Sequence, residues 1–467
     1  MGDLEALREK AREMGRELIQ KISDGKSLII IGNSDVDGIC SVSLLAKAIQ
    51  RKNGKPIIRI MQDINEKVLT QLKESGYDLC ILCGLGSNMV AVLEKSLDGN
   101  WIMVDHNQLA SDELTHSNIF NTNQFGYDGS LDGCTTTMAY NLALAMDNEN
   151  IDLAWISVLA SLASGNDQGE RRSLLALNKI ALDDAVSTKS INLSLDLLFF
   201  GRTTRPMHEA IASTINPYIL NLSGNRDASM ATLVSSGISV KDNDRWKTIA
   251  DLDEDEKKKL VDEIIPYLTP SENADEALDK IIGNIYTLLR EDDHSPLSDA
   301  REFGSLLDSC ARMKSPSLGI SICLGDRDQA LQEAERLLVS YKQTLNKYIR
   351  LLLSDDERFI ESSRSFLLSG DGLVDESMLS LVVSILSNLS RFQGKVIILK
   401  TGTNDGDAIF CGRKTIGCDE SINLGKIMLD SSKECKGRGW GTKAVATALV
   451  SMSKSESFLK TVNGRLG

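Results

Sequence analysis

Residues 27–32 (SLIIIG) form a short apolar run rich in β-branched side chains, and the apolar positions of 39–49 then recur at helical spacing. The alternation continues through 56–61, 68–72, 79–85, 90–97 and 101–104, which predicts four apolar strands separated by helices. Strands without a polar face belong in a parallel sheet covered by helices on both sides. Two further helices are predicted over 134–146 and 153–162, the second running out into Gly165, Asn166 and Asp167. Residues 1–26 are charged and amphipathic (Leu4, Leu7, Met14, Leu18, Ile19, Ile22), so they predict a helix and not a secretory leader.

The middle of the chain changes character. Residues 205–299 are acidic, mostly helical in pattern and poor in strand signals, which predicts a helical insert or connecting module. A second α/β unit is expected to open with a strand at 318–324 (LGISICL), followed by a long bridging helix over 327–353. Strand patterns at 361–368, 395–400 and 408–411, with a helix over 376–389, complete that unit. The 467 residues thus divide into an N-terminal helix (1–26), an α/β domain (27–204), a helical module (205–317), a strand with a bridging helix (318–356) and a smaller α/β domain (357–467). A chain this long outgrows a single core, so several domains are the expectation.

Composition narrows the class. With 42% apolar and 25% charged residues the chain is of ordinary globular type, and no apolar stretch approaches the ~20 residues of a membrane span. A cytoplasmic protein without a membrane partner is expected. The nine cysteines are scattered, as in a reducing compartment. Cys80 and Cys83 resemble a metal or redox pair, but alternation along a strand sends them to opposite faces. A net charge of −14 excludes a surface coated for polyanions, so any nucleic-acid contact must be local. The acidic excess lies in 251–299, whereas Arg413, Lys414, Lys426, Lys433, Lys436, Arg438 and Lys443 form a basic stretch that charge alone would assign to a solvated face. The four tryptophans are dispersed, which predicts no aromatic platform for bases, and His116, His208 and His294 are isolated.

Chemistry concentrates where strands end, the place at which ligands collect in open parallel sheets. Asn33-Ser34-Asp35-Val36-Asp37-Gly38 sets two carboxylates at i and i+2, which point the same way if the backbone stays extended. Asp105-His106 ends another strand, and Asp167 follows a Gly-Asn turn. Any one of these aspartates could merely cap the next helix. Together, Asp35, Asp37, Asp105, His106 and Asp167 are the donor set a hard divalent cation asks for, and two such ions activate water in phosphodiester cleavage.

The order and spacing of these residues resemble the DHH phosphoesterase superfamily, which carries His-x-Asp-x-Asp-Gly, an Asp-Leu-Gly-Ser type turn, Asp-His-His, a lone Asp and Gly-Gly-Gly-His. Here stand Asn33-x-Asp35-x-Asp37-Gly38, Gly84-Leu85-Gly86-Ser87, Asp105-His106-Asn107, Asp167 and Gly437-Arg438-Gly439-Trp440. Residues 200–206 (FGRTTRP), 216–218 (NPY), 299–303 (DAREF) and 422–428 (INLGKIM) are similar to the archaeal RecJ-like branch in particular. The resemblance implies a parallel-sheet DHH domain plus a smaller α/β DHH-associated domain, joined by a long helix, with a helical middle segment.

The departures fall on the chemistry. Asn33, Gly84, Asn107 and Trp440 replace a histidine, an aspartate and two further histidines of the family pattern, and Arg438 and Val445 replace glycines. An amide is a poor manganese ligand, and each lost transition-state contact typically costs a few kcal/mol. The resemblance therefore implies a degenerate RecJ-like protein, holding at most one manganese or magnesium ion on Asp35, Asp37, Asp105, His106 and Asp167, and no other cofactor. Inactivated relatives of this kind imply a role in DNA replication, as a nucleoid-associated subunit of a CMG-type helicase beside the GINS complex and the MCM ring. The competing expectation is a manganese-dependent exonuclease on single-stranded DNA or RNA. In that case Arg413 matches a family arginine for substrate phosphate, with Lys414, Arg438, Gly437 and Gly439 extending the track.

Overall fold

The computed structural model describes residues 2–109, 116–268, 274–403 and 405–467. Helix α1 (Leu4–Ser23), capped by Asp3, buries Leu7, Met14, Leu18 and Ile22. There follow β1 (Leu28–Asn33), α2 (Val36–Arg51), β2 (Ile57–Met61), α3 (Glu66–Glu74), β3 (Leu79–Cys83), α4 (Val90–Leu97), β4 (Trp101–Asp105) and β5 (Ile119–Asn121). The five strands form a parallel sheet in the order β2-β1-β3-β4-β5. Helices α5 (Thr135–Met146), α6 (Ala154–Ala163) and α7 (Ala176–Ser187) complete this part.

Both faces of the sheet are covered, which is why its strands read as unbroken apolar runs. Ile30, Ile81 and Cys83 pack with α1, α2 and α5, while Ile29, Ile31, Cys80 and Leu82 pack with Leu69 and Leu93 on the other side. Cys80 and Cys83 accordingly lie in different cores, both as free thiols. Strand β5 was absent from the sequence reading, since three residues give no period to detect.

The middle segment comprises β6 (Ile191–Leu197), α8 (Met207–Ser213), α9 (Arg226–Ser235), β7 (Lys241–Asp242), β8 (Arg245–Trp246), α10 (Glu254–Leu268), α11 (Ala274–Ile281) and β9 (Ile282–Leu288). It has its own core around Leu197, Ile211, Leu233 and Ile264. The expectation of a strand-poor segment needs correction: β9 pairs antiparallel with β6, from Ile191 opposite Leu288 to Leu197 opposite Ile282.

Next come α12 (Ala300–Arg312), α13 (Pro316–Leu324) and the long α14 (Gln329–Ser354). The strand expected at 318–324 is helix α13: Pro316 sits in its first turn, and Gly325 ends it with a left-handed backbone. A short apolar run fits a buried helix as well as a strand, and here Gly319 faces Ile39 of α2.

The C-terminal part holds β10 (Phe359–Glu361), β11 (Ser365–Ser369), α15 (Leu379–Leu386), β12 (Val396–Gly402), β13 (Asp407–Lys414), α16 (Leu424–Glu434), β14 (Arg438–Gly441), β15 (Val445–Ser451) and α17 (Ser455–Leu466). The run expected as one strand at 361–368 is broken between β10 and β11, where Ser362 turns back to pair with Ser365. Six strands form a mixed sheet in the order β10-β11-β12-β13-β15-β14, with only β11 and β12 parallel. One face joins the main core through Ile397, Leu399 and Cys411, and the other packs Phe410 and Ala448 on α16 and α17.

Candidate functional site

Strand β1 ends at Asn33, and Asp35, in extended backbone, is the N-cap of α2. Its carboxylate accepts from the Gly38 N–H at 2.7 Å and from Asn33 Nδ2 at 2.6 Å. Asp37 already lies in the first turn of α2, so the expected side-by-side projection of an extended pair does not occur. The helical turn brings the two together instead. Burial, with the Asp37 charge beside it, raises the pKa of Asp35 from 3.8 to about 6.

Asp37 is buried and meets the N-terminus of α5. The Thr135 and Thr136 N–H groups donate to it at 2.8 Å each, and Thr136 Oγ1 donates at 2.6 Å. Its charge is thus held by neutral dipoles at a helix end. Nothing in the carboxylate motif announced the threonine run 135–137 as its counterpart.

Asp105 ends β4 and is fully buried. Its Oδ1 accepts from the His106 N–H (2.7 Å), the Asn107 N–H (3.2 Å) and Asn107 Nδ2 (2.9 Å), while Oδ2 has no hydrogen-bond partner among the described residues. Burial raises its pKa. His106 Nδ1 lies 2.8 Å from Thr135 Oγ1, 3.6 Å from Asp37 and 3.8 Å from Asp105. Asp35, Asp37, Asp105 and His106 therefore share one crevice at the strand ends.

The departures line the same crevice. A Cβ at Gly84 (φ +71°) would lie 3.3 Å from Thr135 Oγ1 and 3.6 Å from Asn33 Cβ, so a side chain there would enter it. Asn33 and Asn107 each turn an amide N–H toward an aspartate, acting as donors where a metal would need acceptors.

Asp167 is set apart by its partners. It is 1% exposed, and Arg301 Nη2 donates to its Oδ2 at 2.6 Å while Arg172 Nη2 lies 3.1 Å from Oδ1. Arg301 also donates to the Asn284 carbonyl of β9 at 2.6 Å, and the Arg172 carbonyl accepts from the Tyr286 hydroxyl at 3.0 Å. Arg171 and Arg172 both adopt left-handed backbone (φ 54° and 60°), which costs a residue with a side chain about 1–2 kcal/mol. The sequence reading named Asp167 and not its counter-ions. Arg301 stands in the DAREF stretch noted above, but 134 residues separate it from Asp167, and only the fold joins them.

The C-terminal sheet faces this crevice and gives the residues of the expected basic track different surroundings. Arg413 and Lys414 are neighbours on β13, so they point to opposite faces. Lys414 Nζ donates to the Ile422 carbonyl at 3.3 Å, on the α16 side. Arg438 is engaged rather than free: it donates to the Ile64 carbonyl at 2.7 Å and pairs with Asp63. Gly437 and Gly439 serve packing. A Cβ would meet the Leu449 carbonyl at 2.4 Å in the first case and the Met428 carbonyl at 2.7 Å in the second. Arg413 alone has no hydrogen bond or ion pair among the described residues. Burial, with Arg172 nearby, lowers its pKa.

Whether a cation fits can be judged from the lone pairs. Manganese and magnesium need several oxygen or imidazole acceptors aimed at one point. Here Asp37 is spent on α5, Asp35 on capping α2 and Asp167 on two guanidinium groups. Among the described residues no group of three or more His, Cys, Asp and Glu is placed to hold a metal ion. The donors as arranged do not fit a cation pair.

The DHH family N-terminal domain matches residues 27–165, and the DHH-CID domain matches residues 199–282. An uncharacterized protein of Methanocaldococcus jannaschii is 25% identical over 451 residues, spanning 94% of this chain and 93% of its own. CDC45 from Entamoeba histolytica shares the fold with a TM-score of 0.65 at 10% identity, over 98% of this chain and 99% of that one. RecJ from Thermus thermophilus, solved in complex with Mn2+, shares it with a TM-score of 0.56 at 14% identity, over 98% of this chain and 54% of that one.

Proposed function

With a DHH-family N-terminal domain followed by a DHH-CID domain as the premise, we propose that this protein serves DNA replication as a non-hydrolysing, RecJ-like subunit of a helicase assembly. It binds the GINS complex beside the MCM ring and works on the nucleoid. Asp167 carries this reading. A carboxylate that the family pattern assigns to a metal is neutralised by Arg172 and Arg301, and a cation would have to displace two guanidinium groups to reach it. The full-length likeness of fold to CDC45 supports the same choice. No helix among the described residues is long and apolar enough to cross a membrane.

Affinity purification of the tagged full chain from native cells, followed by identification of bound proteins, tests the partner; recovery of GINS is expected, and its consistent absence removes the reading. The exonuclease alternative draws on one observation, the buried and unpartnered Oδ2 of Asp105 beside His106. A manganese-dependent assay on single-stranded DNA and RNA separates the two. Robust cleavage lost in an Asp35→Ala/Asp105→Ala variant would restore the hydrolase.

A further inference from the structure

The two sides of the C-terminal sheet are fastened to the rest of the molecule by different means. Phe366 and Leu368 of β11, Ile397 and Leu399 of β12 and Cys411 of β13 lie in the main core, whereas Ala446, Ala448 and Val450 of β15 belong to the core shared with α16 and α17. Strand β14 is the edge of this sheet, paired with β15 alone. No residue of β14 is part of a hydrophobic core among the described residues. It is joined to the N-terminal domain by polar contacts instead.

These contacts sit at both ends of the strand. Arg438 donates to the Ile64 carbonyl at 2.7 Å and pairs with Asp63. At the other end the Gly441 carbonyl accepts from the Gln108 N–H at 2.6 Å. Just beyond, Lys443 Nζ lies 3.6 Å from Asp128, and Asn423, the N-cap of α16, donates through Nδ2 to Gln108 Oε1 at 3.3 Å. Asp63 and Ile64 follow β2, and Gln108 follows β4. In the order β2-β1-β3-β4-β5 the ends of β1 and β3, with Asn33 and Gly84, therefore fall between the two anchors. Strands β2 and β4 are three spacings apart, about 14 Å, and the rise from Arg438 to Gly441 is about 10 Å, which the arginine side chain extends. Strand β14 thus lies as a bar across the carboxyl ends of the parallel strands. Both partners of its ion pair are only about a quarter exposed (26% and 24%), a setting in which salt screens a pair less than at the open surface. Arg438 stands where the family pattern has a glycine, and a glycine has no side chain to make either contact.

We propose that β14 is a latch: the Arg438–Asp63 pair and the Gln108–Gly441 hydrogen bond hold the edge of the C-terminal sheet shut across the crevice, which opens when these polar contacts break and the apolar side stays packed. Local opening starts where few apolar contacts are buried, which makes the β14 edge the moving side and β11, β12 and β13 the fixed one. The latch goes beyond the GINS reading and does not depend on it.

Amide hydrogen exchange of the full-length protein tests it, because the Gln108 N–H finds its acceptor across the domain boundary. Arg438→Gly should speed exchange at Gln108 about tenfold or more, the scale of a lost hydrogen bond to a charged group, while β3 and β12 exchange as in the parent. Asp63→Asn, a change in the other domain, should speed Gln108 in the same direction and decides the matter if Arg438→Gly also loosens β12. The double variant should exchange no faster at Gln108 than Arg438→Gly, since both changes break one contact. Parent-like exchange at Gln108 in both single variants overturns the latch. Additive speeding in the double variant overturns it as well, because the two residues would then act separately. Co-purification without GINS leaves these outcomes untouched.

Discussion

Asp37 and Asp167 are two buried carboxylates of one fold that are neutralised by opposite means. Asp37 rests on two backbone N–H groups and a hydroxyl at the start of α5, and Asp167 rests on two full positive charges. A dipole cluster survives the loss of its anion as a helix end that still finds other acceptors. A guanidinium pair does not, since removing the shared anion leaves like charges facing each other in a half-buried place. The contrast explains why the second carboxylate, and not the first, locks β9 and α12 to the N-terminal domain.

The largest expected effect follows from that asymmetry. Asp167→Asn should destabilise the protein by about 3–5 kcal/mol, the range for breaking a buried pair by removing one partner, read as a shift of the urea midpoint. An effect below that of the Asp37 substitution would reverse the ranking. Asp37→Asn keeps one acceptor oxygen for the α5 N-terminus and should cost about 2 kcal/mol, in the range for hydrogen bonds to charged groups. Restoration by a compensating change at Thr136 would sharpen the assignment to that hydroxyl.

Much of this architecture could be read from the chain before folding. Strands β1, β3 and β4 announce themselves because apolar residues fill both faces, and the crevice aspartates stand where β1 and β4 stop. What escaped was whatever depends on distant partners. Segment 318–324 is apolar all round, and only Pro316 and Gly325 at its ends mark it as a helix. Arg438 pairs with Asp63 of the N-terminal domain, and nothing near it in sequence hints at that partner. Arg172 is five residues from Asp167, yet its role needs the left-handed turn at 171 and 172, which no helix or strand period encodes. Trp440 was read both as one of the dispersed tryptophans and as the replacement of a motif histidine, and only the register of β14, β15 and β13 shows that it shares a sheet face with Arg413.

Asp35, beside Asp37 in the crevice, adds a dependence on pH. Its folded pKa, about 6, lies above the ordinary 3.8, so the folded state keeps a proton that the unfolded chain has already lost. The contribution of Asp35 to stability should therefore be greatest below pH 4, fall as the pH rises from 4 to 6, and stay down above that. The partly exposed carboxylate limits the effect to about 1–2 kcal/mol. Asparagine caps helices as well as aspartate, so Asp35→Asn should flatten this slope and stabilise the protein at pH 7. Denaturant midpoints at pH 4, 5, 6 and 7 check it; an unchanged slope in the variant would remove Asp35 as its source.

The smallest expected effect is the response to metal. A cation bound at 100 times its Kd would add about 2.7 kcal/mol to the folded state, enough to move the melting temperature by several degrees. In this crevice the acceptors are already engaged, by α5 at Asp37, by the N-cap turn at Asp35 and by arginines at Asp167, which leaves Asp105 Oδ2 and His106 as the available donors. Two donors beside a fixed positive field hold a hard cation poorly. Melting in millimolar manganese and in EDTA should agree within about 1 °C. A rise of several degrees, lost in Asp105→Ala, would mean that the carboxylates rearrange around an ion and that the arginine clasp at Asp167 yields to it.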